Sequence, residues 1–206
     1  MQIPSRQGCG LSSVRQIAVL GSTGSIGTNC LDVVAAQPER MRVRALTAHR
    51  RWQELAEQCQ RFRPEIAVVC DETLVSEVDR SVFPAETELA FGPDAAVRVA
   101  CDADVDVVVS GIVGAAGLRG AWAAIEAGKT LAIANKETLV VAGPLVMELA
   151  RRTGACLLPV DSEHSAIHQA IQSGRPEEVR RIVLTASGGP FRKSTRDEMR
   201  DVTPEK

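Results

Sequence analysis

This chain predicts an α/β protein built on a doubly wound parallel sheet, and three observations lead there. Short apolar runs alternate with helical patterns along most of its length. The runs, such as Ile17-Ala18-Val19-Leu20 and Ile66-Ala67-Val68-Val69, are continuous, as strands buried on both faces require. A glycine-rich turn, Gly21 to Gly27, joins the first of them to a segment with helical periodicity, which makes the fold Rossmann-like.

In order, the first strand and glycine turn lead to a helix from about Asn29, and a second strand runs through Val43-Arg44-Ala45-Leu46-Thr47. Residues 52–63 read as a helix ending at Pro64, and residues 66–69 as a third strand. Residues 71–81 suggest a further helix, 83–91 a short strand within loops, and 93–101 a helix opened by Pro93. Residues 105–109 form a buried strand that ends at Ser110-Gly111. Residues 115–127 make an alanine-rich helix stopped by Gly128, and 129–134 the next strand. Cys156-Leu157-Leu158 and residues 181–184 are strand-like as well. Ligands of such sheets lie beyond the carboxyl ends of the strands, where Gly21, Ser110 and Asn135 fall.

Composition limits the function. The chain has 206 residues, 45% hydrophobic content and a formal charge of −2, enough for one ordinary domain and the start of another. The near-neutral balance gives no argument for nucleic acid or an anionic membrane as a partner. Six scattered cysteines without a C-x-x-C pair point to reduced thiols. Residues 1–14 lack the apolar core of a secretory signal and read as a disordered tail. No run reaches membrane-spanning length. The expected location is cytoplasmic.

The turn Gly21-Ser22-Thr23-Gly24-Ser25-Ile26-Gly27 has the spacing G-x-x-G-x-x-G. Small residues let backbone approach a pyrophosphate, the first N–H groups of the helix point at it, and the helix dipole favours its charge. The alternative is a plain tight turn. NAD sites carry an acidic residue about 20 residues later to hold the ribose hydroxyls. Here the second strand ends in His49-Arg50-Arg51, cations suited to the 2′-phosphate of NADPH. The same arginines also suit the start of a solvated helix, with Trp52 packed behind.

Asn135-Lys136-Glu137 follows a strand at the mouth of the predicted site. Lys136 can hold an anionic substrate group there, while Asn135 and Glu137 orient ribose or nicotinamide; equally, Asn135 caps a helix. In Pro159-Val160-Asp161-Ser162-Glu163-His164, Asp161 and Glu163 can converge on Mg2+ or Mn2+, with the remaining ligands of about six coming from elsewhere. Helix capping by Asp161 or Ser162 is the alternative. Thr185-Ala186-Ser187-Gly188-Gly189-Pro190-Phe191 offers a third polar loop.

Taken in this order, the segments resemble the 1-deoxy-D-xylulose 5-phosphate reductoisomerase family from Arg15 to Lys206. The stretches that carry the resemblance are Gly21 to Gly27, Gly111 to Leu118, Ala127-Gly128-Lys129, Ala134 to Glu137, Leu158 to Ile167 and Ser187 to Phe191. It implies NADPH contacts at Gly21, Thr23, Gly24, Ser25, Ile26, Gly27, His49, Arg50, Arg51, Asn135 and Glu137. It implies sugar-phosphate contacts at Lys136, Ser162, Glu163 and Ser187, metal ligands at Asp161 and Glu163, and catalytic roles for Lys136 and Glu163. His49-Arg50-Arg51 departs from the Gly-Lys-Asn or Gly-Arg-Asn of many relatives, as do Ala186 and His168 from Gly and Phe.

The implied organisation is an NADPH-binding domain over residues 15–154, then from 155 to 206 the truncated start of an α+β catalytic domain. The implied reaction is the NADPH- and metal-dependent rearrangement and reduction of 1-deoxy-D-xylulose 5-phosphate to 2-C-methyl-D-erythritol 4-phosphate, by a homodimer, in the non-mevalonate route to isoprenoids. A lid with histidine and tryptophan, a phosphate clamp and a third metal carboxylate are expected beyond Lys206. This stretch alone is therefore expected to bind NADPH and to turn over poorly. Two other readings fit the fold: another NADP-dependent oxidoreductase of the homoserine dehydrogenase or dihydrodipicolinate reductase kind, which has no use for Asp161 and Glu163, and a non-enzymatic dinucleotide sensor.

Overall fold

The computed structural model describes residues 14–184 and 188–203. The expected tail, Val14 excepted, and the contact expected of Ser187 lie outside the described residues. The chain divides into two compact units between Asp161 and Ser162.

The first unit is a seven-stranded sheet, β1 (Arg15–Leu20), β2 (Met41–Ala48), β3 (Ile66–Val69), β4 (Glu88–Phe91), β5 (Val107–Ser110), β6 (Thr130–Ile133) and β7 (Cys156–Pro159). Their spatial order is β4-β3-β2-β1-β5-β6-β7, and every pairing is parallel. The order reverses between β1 and β5, so the crevice that opens at a doubly wound sheet's switch point lies beyond Leu20 and Ser110, which pair in register. β7, expected to open a second domain, is the seventh strand of this sheet.

The period of two along β1 sends its side chains to both faces. Ile17 and Val19 join Leu31 and Val34 of α1 (Ser25–Ala36) and Leu55, Ala56 and Cys59 of α2 (Trp52–Phe62). Ala18 and Leu20 join buried residues of α3 (Pro93–Cys101), α4 (Leu118–Glu126) and α5 (Lys136–Thr153). Each fully buried Leu or Val contributes about 1.5–3 kcal/mol relative to exposure.

α5 is bent. Pro144 removes one helical N–H and crowds the carbonyl of residue 140, and Ala142 leaves helical geometry (φ −130°, ψ 15°). The second unit contains α6 (Ser162–Gln172), none of whose residues is buried. Among the described residues no helix is long and apolar enough to cross a membrane.

Two expectations fail. Residues 71–81 form no α-helix but two 3-10 turns, Glu72–Leu74 and Arg80–Val82, opened by Asp71 and Asp79. Each aspartate accepts the N–H two residues on and the hydroxyl there, at Thr73 and Ser81. These local bonds compete with helical ones. Residues 181–184 are not a strand. Their side chains have strand propensity, but a strand exists only when a neighbour satisfies its backbone, and none pairs with them among the described residues. Smaller shifts occur at 83–91, where only Glu88–Phe91 is strand, and at 115–127, which splits into a 3-10 turn, Ala115–Gly117, and α4.

Candidate functional site

The glycine turn is sewn to its neighbours through backbone. Gly21 N–H donates to the Thr47 carbonyl (3.1 Å) and hydroxyl (3.0 Å), and Ser22 N–H to the same carbonyl (2.8 Å). Buried Ser22 donates its hydroxyl to Gln58 Oε1 (2.6 Å), and Gln58 Nε2 returns a bond to the Ser22 carbonyl (3.0 Å), fixing the turn to α2.

Gly21 sits at φ 81°, where side chains are strained. A Cβ on Gly27 would meet Gly21 O and Ser22 Cα at 2.5 Å, so only glycine lets α1 begin this close to β1. Gly24 caps α1 with no side-chain bond, and the first turn holds no acid. The N–H groups of Ser25, Ile26 and Gly27 therefore lack intrahelical partners and meet no competing carboxylate in that turn. That cradle fits a pyrophosphate.

At the end of β2, Arg50 and Arg51 are 63% and 55% exposed at their side chains and are not idle. Arg50 Nη1 lies 2.9 Å from Asp71 Oδ2, and Arg51 Nη1 lies 3.1 Å from Glu54 Oε2. The Asp71 N–H donates to the His49 carbonyl (3.1 Å). Hydrogen bonds from Thr73, with Arg50 and His49 nearby, hold the Asp71 carboxyl below the usual carboxylate range. The helical pattern over residues 71–81 hides Asp71 from sequence reading; its place two residues past β3 was the available signal.

Asn135 is buried and caps α5, accepting the Thr138 N–H at 3.1 Å. Its amide also donates to the carbonyls of Ile112 (2.5 Å) and Gly114 (2.8 Å). A Cβ on Gly117 would lie 2.2 Å from Asn135 Nδ2, so this loop closes tightly on the amide. Asn135 thus shapes the wall beside the crevice, while Lys136 is exposed and Glu137 half-buried. Ser110 Oγ at the end of β5 and Thr138 Oγ1 in the first turn of α5 are buried without a hydrogen-bond partner.

Ile133 pairs with Pro159, and Val160 N–H donates to the Ile133 carbonyl (3.0 Å). Asn135 and Asp161 therefore each stand two residues past a paired position on adjacent strands. In the second unit, Glu163 lies in the first turn of α6 and accepts the Ser162 hydroxyl at 2.9 Å. Among the described residues no group of three His, Cys, Asp or Glu side chains is placed to hold a metal. Two hard oxygen donors suit part of a Mg2+ or Mn2+ shell, which takes its other ligands from water, substrate or further protein.

A family model described as 1-deoxy-D-xylulose 5-phosphate reductoisomerase matches residues 17–143, and one for that enzyme's C-terminal domain matches 157–206. The 1-deoxy-D-xylulose 5-phosphate reductoisomerase of Laribacter hongkongensis is 49% identical over 197 residues, 93% of this chain and 51% of the relative. The solved Zymomonas mobilis reductoisomerase in complex with NADPH superposes with a TM-score of 0.86 at 44% identity, covering 94% of this chain and 51% of that one. A reductoisomerase complex with NADPH, fosmidomycin and magnesium gives 0.79 at 37% identity, covering 92% and 49%. The chain spans about half the length of the relatives it matches. Since the matched segments include the glycine cradle, the Asn135 cap and the stretch carrying Asp161 and Glu163, this chain belongs to the 1-deoxy-D-xylulose 5-phosphate reductoisomerase family.

Proposed function

We propose that this chain supplies the NADPH cradle and two metal-binding carboxylates of an enzyme that rearranges and reduces 1-deoxy-D-xylulose 5-phosphate to 2-C-methyl-D-erythritol 4-phosphate. The observation that carries the reading is the uncapped, acid-free N-terminus of α1 beyond β1, at the same carboxyl end of the parallel strands that Lys136 and Asp161 follow. Relatives in complex with NADPH and with magnesium support it.

The turn from Gly21 to Gly27 binds pyrophosphate through the N–H groups of Ser25, Ile26 and Gly27, and Arg50 and Arg51 meet the 2′-phosphate while His49 lies by the adenine. Glu137 orients the ribose or nicotinamide, and Asn135 holds the 111–117 wall against that end. Asp161 and Glu163 hold the cation, and Ser162 and Ser187 donate to the sugar phosphate. Lys136 holds an anionic or carbonyl oxygen of the substrate and stabilises charge developing there. When bound, NADPH supplies hydride, and the cation supplies Lewis-acid polarisation of substrate oxygens. The working enzyme is proposed to be a cytoplasmic homodimer.

Titration of the chain with NADPH and NADH tests the cofactor, and repetition after Arg50→Ala and Arg51→Ala tests the cations. NADPH is expected to bind more tightly, with the preference shrinking in both variants. Equal affinities in the unmodified chain would refute the assignment.

A further inference from the structure

The cation facing the cofactor's adenosine end is held from behind. β2 and β3 pair through Ala48 and Val69, so the basic loop and Asp71 leave neighbouring strand ends. Thr73 donates to Asp71 Oδ1 through its N–H (3.0 Å) and hydroxyl (2.6 Å). The other oxygen, Oδ2, meets Arg50 Nη1 at 2.9 Å. The Asp71 N–H bonds the His49 carbonyl (3.1 Å) and so ties the same loop through the backbone.

A guanidinium carries five N–H donors, and this pair engages Nη1. Arg50 is otherwise a long side chain, 63% exposed, whose rotamer freedom would be lost on meeting a phosphate. Fixing it in advance removes part of that loss.

Resting on the NADPH reading above, we propose that Asp71 is a positioning residue for cofactor specificity, holding Arg50 where it meets the 2′-phosphate and so favouring NADPH over NADH. The contrary arrangement, in which the carboxylate competes with the phosphate for Arg50, predicts the opposite sign.

The test uses fluorescence titration of the whole chain with each nucleotide, for the unmodified protein, Asp71→Asn, Arg50→Ala and the double variant. Asp71→Ser, which keeps an acceptor for the Thr73 N–H, serves as a second substitution that spares the turn. Expected is an NADPH affinity weaker by about two- to fivefold in both Asp71 variants, the size an exposed ion pair carries, with NADH unchanged. In the Arg50→Ala background the same change should have no effect, which a merely structural role would not produce.

Tighter NADPH binding by Asp71→Asn, or equal losses for both nucleotides, overturns the proposal. So does an NADPH preference that survives in both variants unchanged, and that result leaves the cofactor reading standing. An unmodified chain that shows no preference overturns both together.

Discussion

The two units of this chain treat their apolar side chains differently. In the first, both faces of the sheet are sealed, and every core residue buried among the described residues belongs to it. In the second, α6 buries nothing, and Ile182, Val183 and Leu184 are 58%, 68% and 61% exposed. The proposed metal carboxylates fall on either side of the division: Asp161 ends the unit whose backbone is pinned by a parallel ladder, and Glu163 is the second residue of the other. The proposed cofactor cradle therefore rests on a scaffold with its own core, and one of the two proposed metal carboxylates does not.

The sharpest break between the units is expected in stability. Leu46→Ala, at a site with no exposure, should cost about 2–5 kcal/mol in urea unfolding, whereas Ile182→Ala should stay within about 0.5 kcal/mol. Equal costs would erase the contrast.

Gly27→Ala comes next. Its methyl would meet turn backbone at 2.5 Å, so about 1–3 kcal/mol of overpacking and loss of NADPH binding are expected. Gly143→Ala, which meets nothing within 4 Å, should retain binding. An unaffected Gly27→Ala titration would remove the cradle from the site.

For the proposed metal donors, Asp161→Asn and Glu163→Gln should each weaken Mg2+ binding measured by calorimetry and leave NADPH affinity within about twofold, as independent sites do. A parallel loss of NADPH affinity would show that the two functions are not separable.

The smallest effect concerns thiols of the first unit. Burial pushes Cys59 to about 12 and Cys30 to about 11, from an ordinary 9.0. Because the folded values lie above the unfolded one, their contribution to stability is constant below pH 9 and is lost as pH rises from there toward 11 and 12. Among the described cysteines, iodoacetamide at pH 8 should label exposed Cys101 before buried Cys59. Early labelling of Cys59 would show that the sheet opens readily.

Legibility followed the range of the interactions. The strands of the sheet, the glycine turn and the helix opened by Pro93 could be read because apolar runs and glycine-rich turns are encoded locally. The turns at Asp71 and Asp79 were hidden because two local hydrogen bonds to each aspartate overrule a helical pattern. The 181–184 segment misled because strand propensity does not reveal whether a partner exists. Asn135 was legible as a cap, but its grip on Ile112 and Gly114 joins residues more than twenty positions apart, which no short window contains. The Ser22–Gln58 clasp and the Arg50–Asp71 pair escaped for the same reason.

The bend in α5 bears on the role proposed for Lys136. Beyond Pro144, Val146, Leu149 and Ala150 bolt the helix into the core, while Val140 and Val141 ahead of it are 81% and 66% exposed. The segment carrying the lysine is nonetheless held at its start by the Asn135 clasp and along its inner side by buried Thr138 and Ala142, with Leu139 packed on the core. The exposed lysine proposed to hold substrate therefore projects from a fixed base, and only its own side chain is left to adjust.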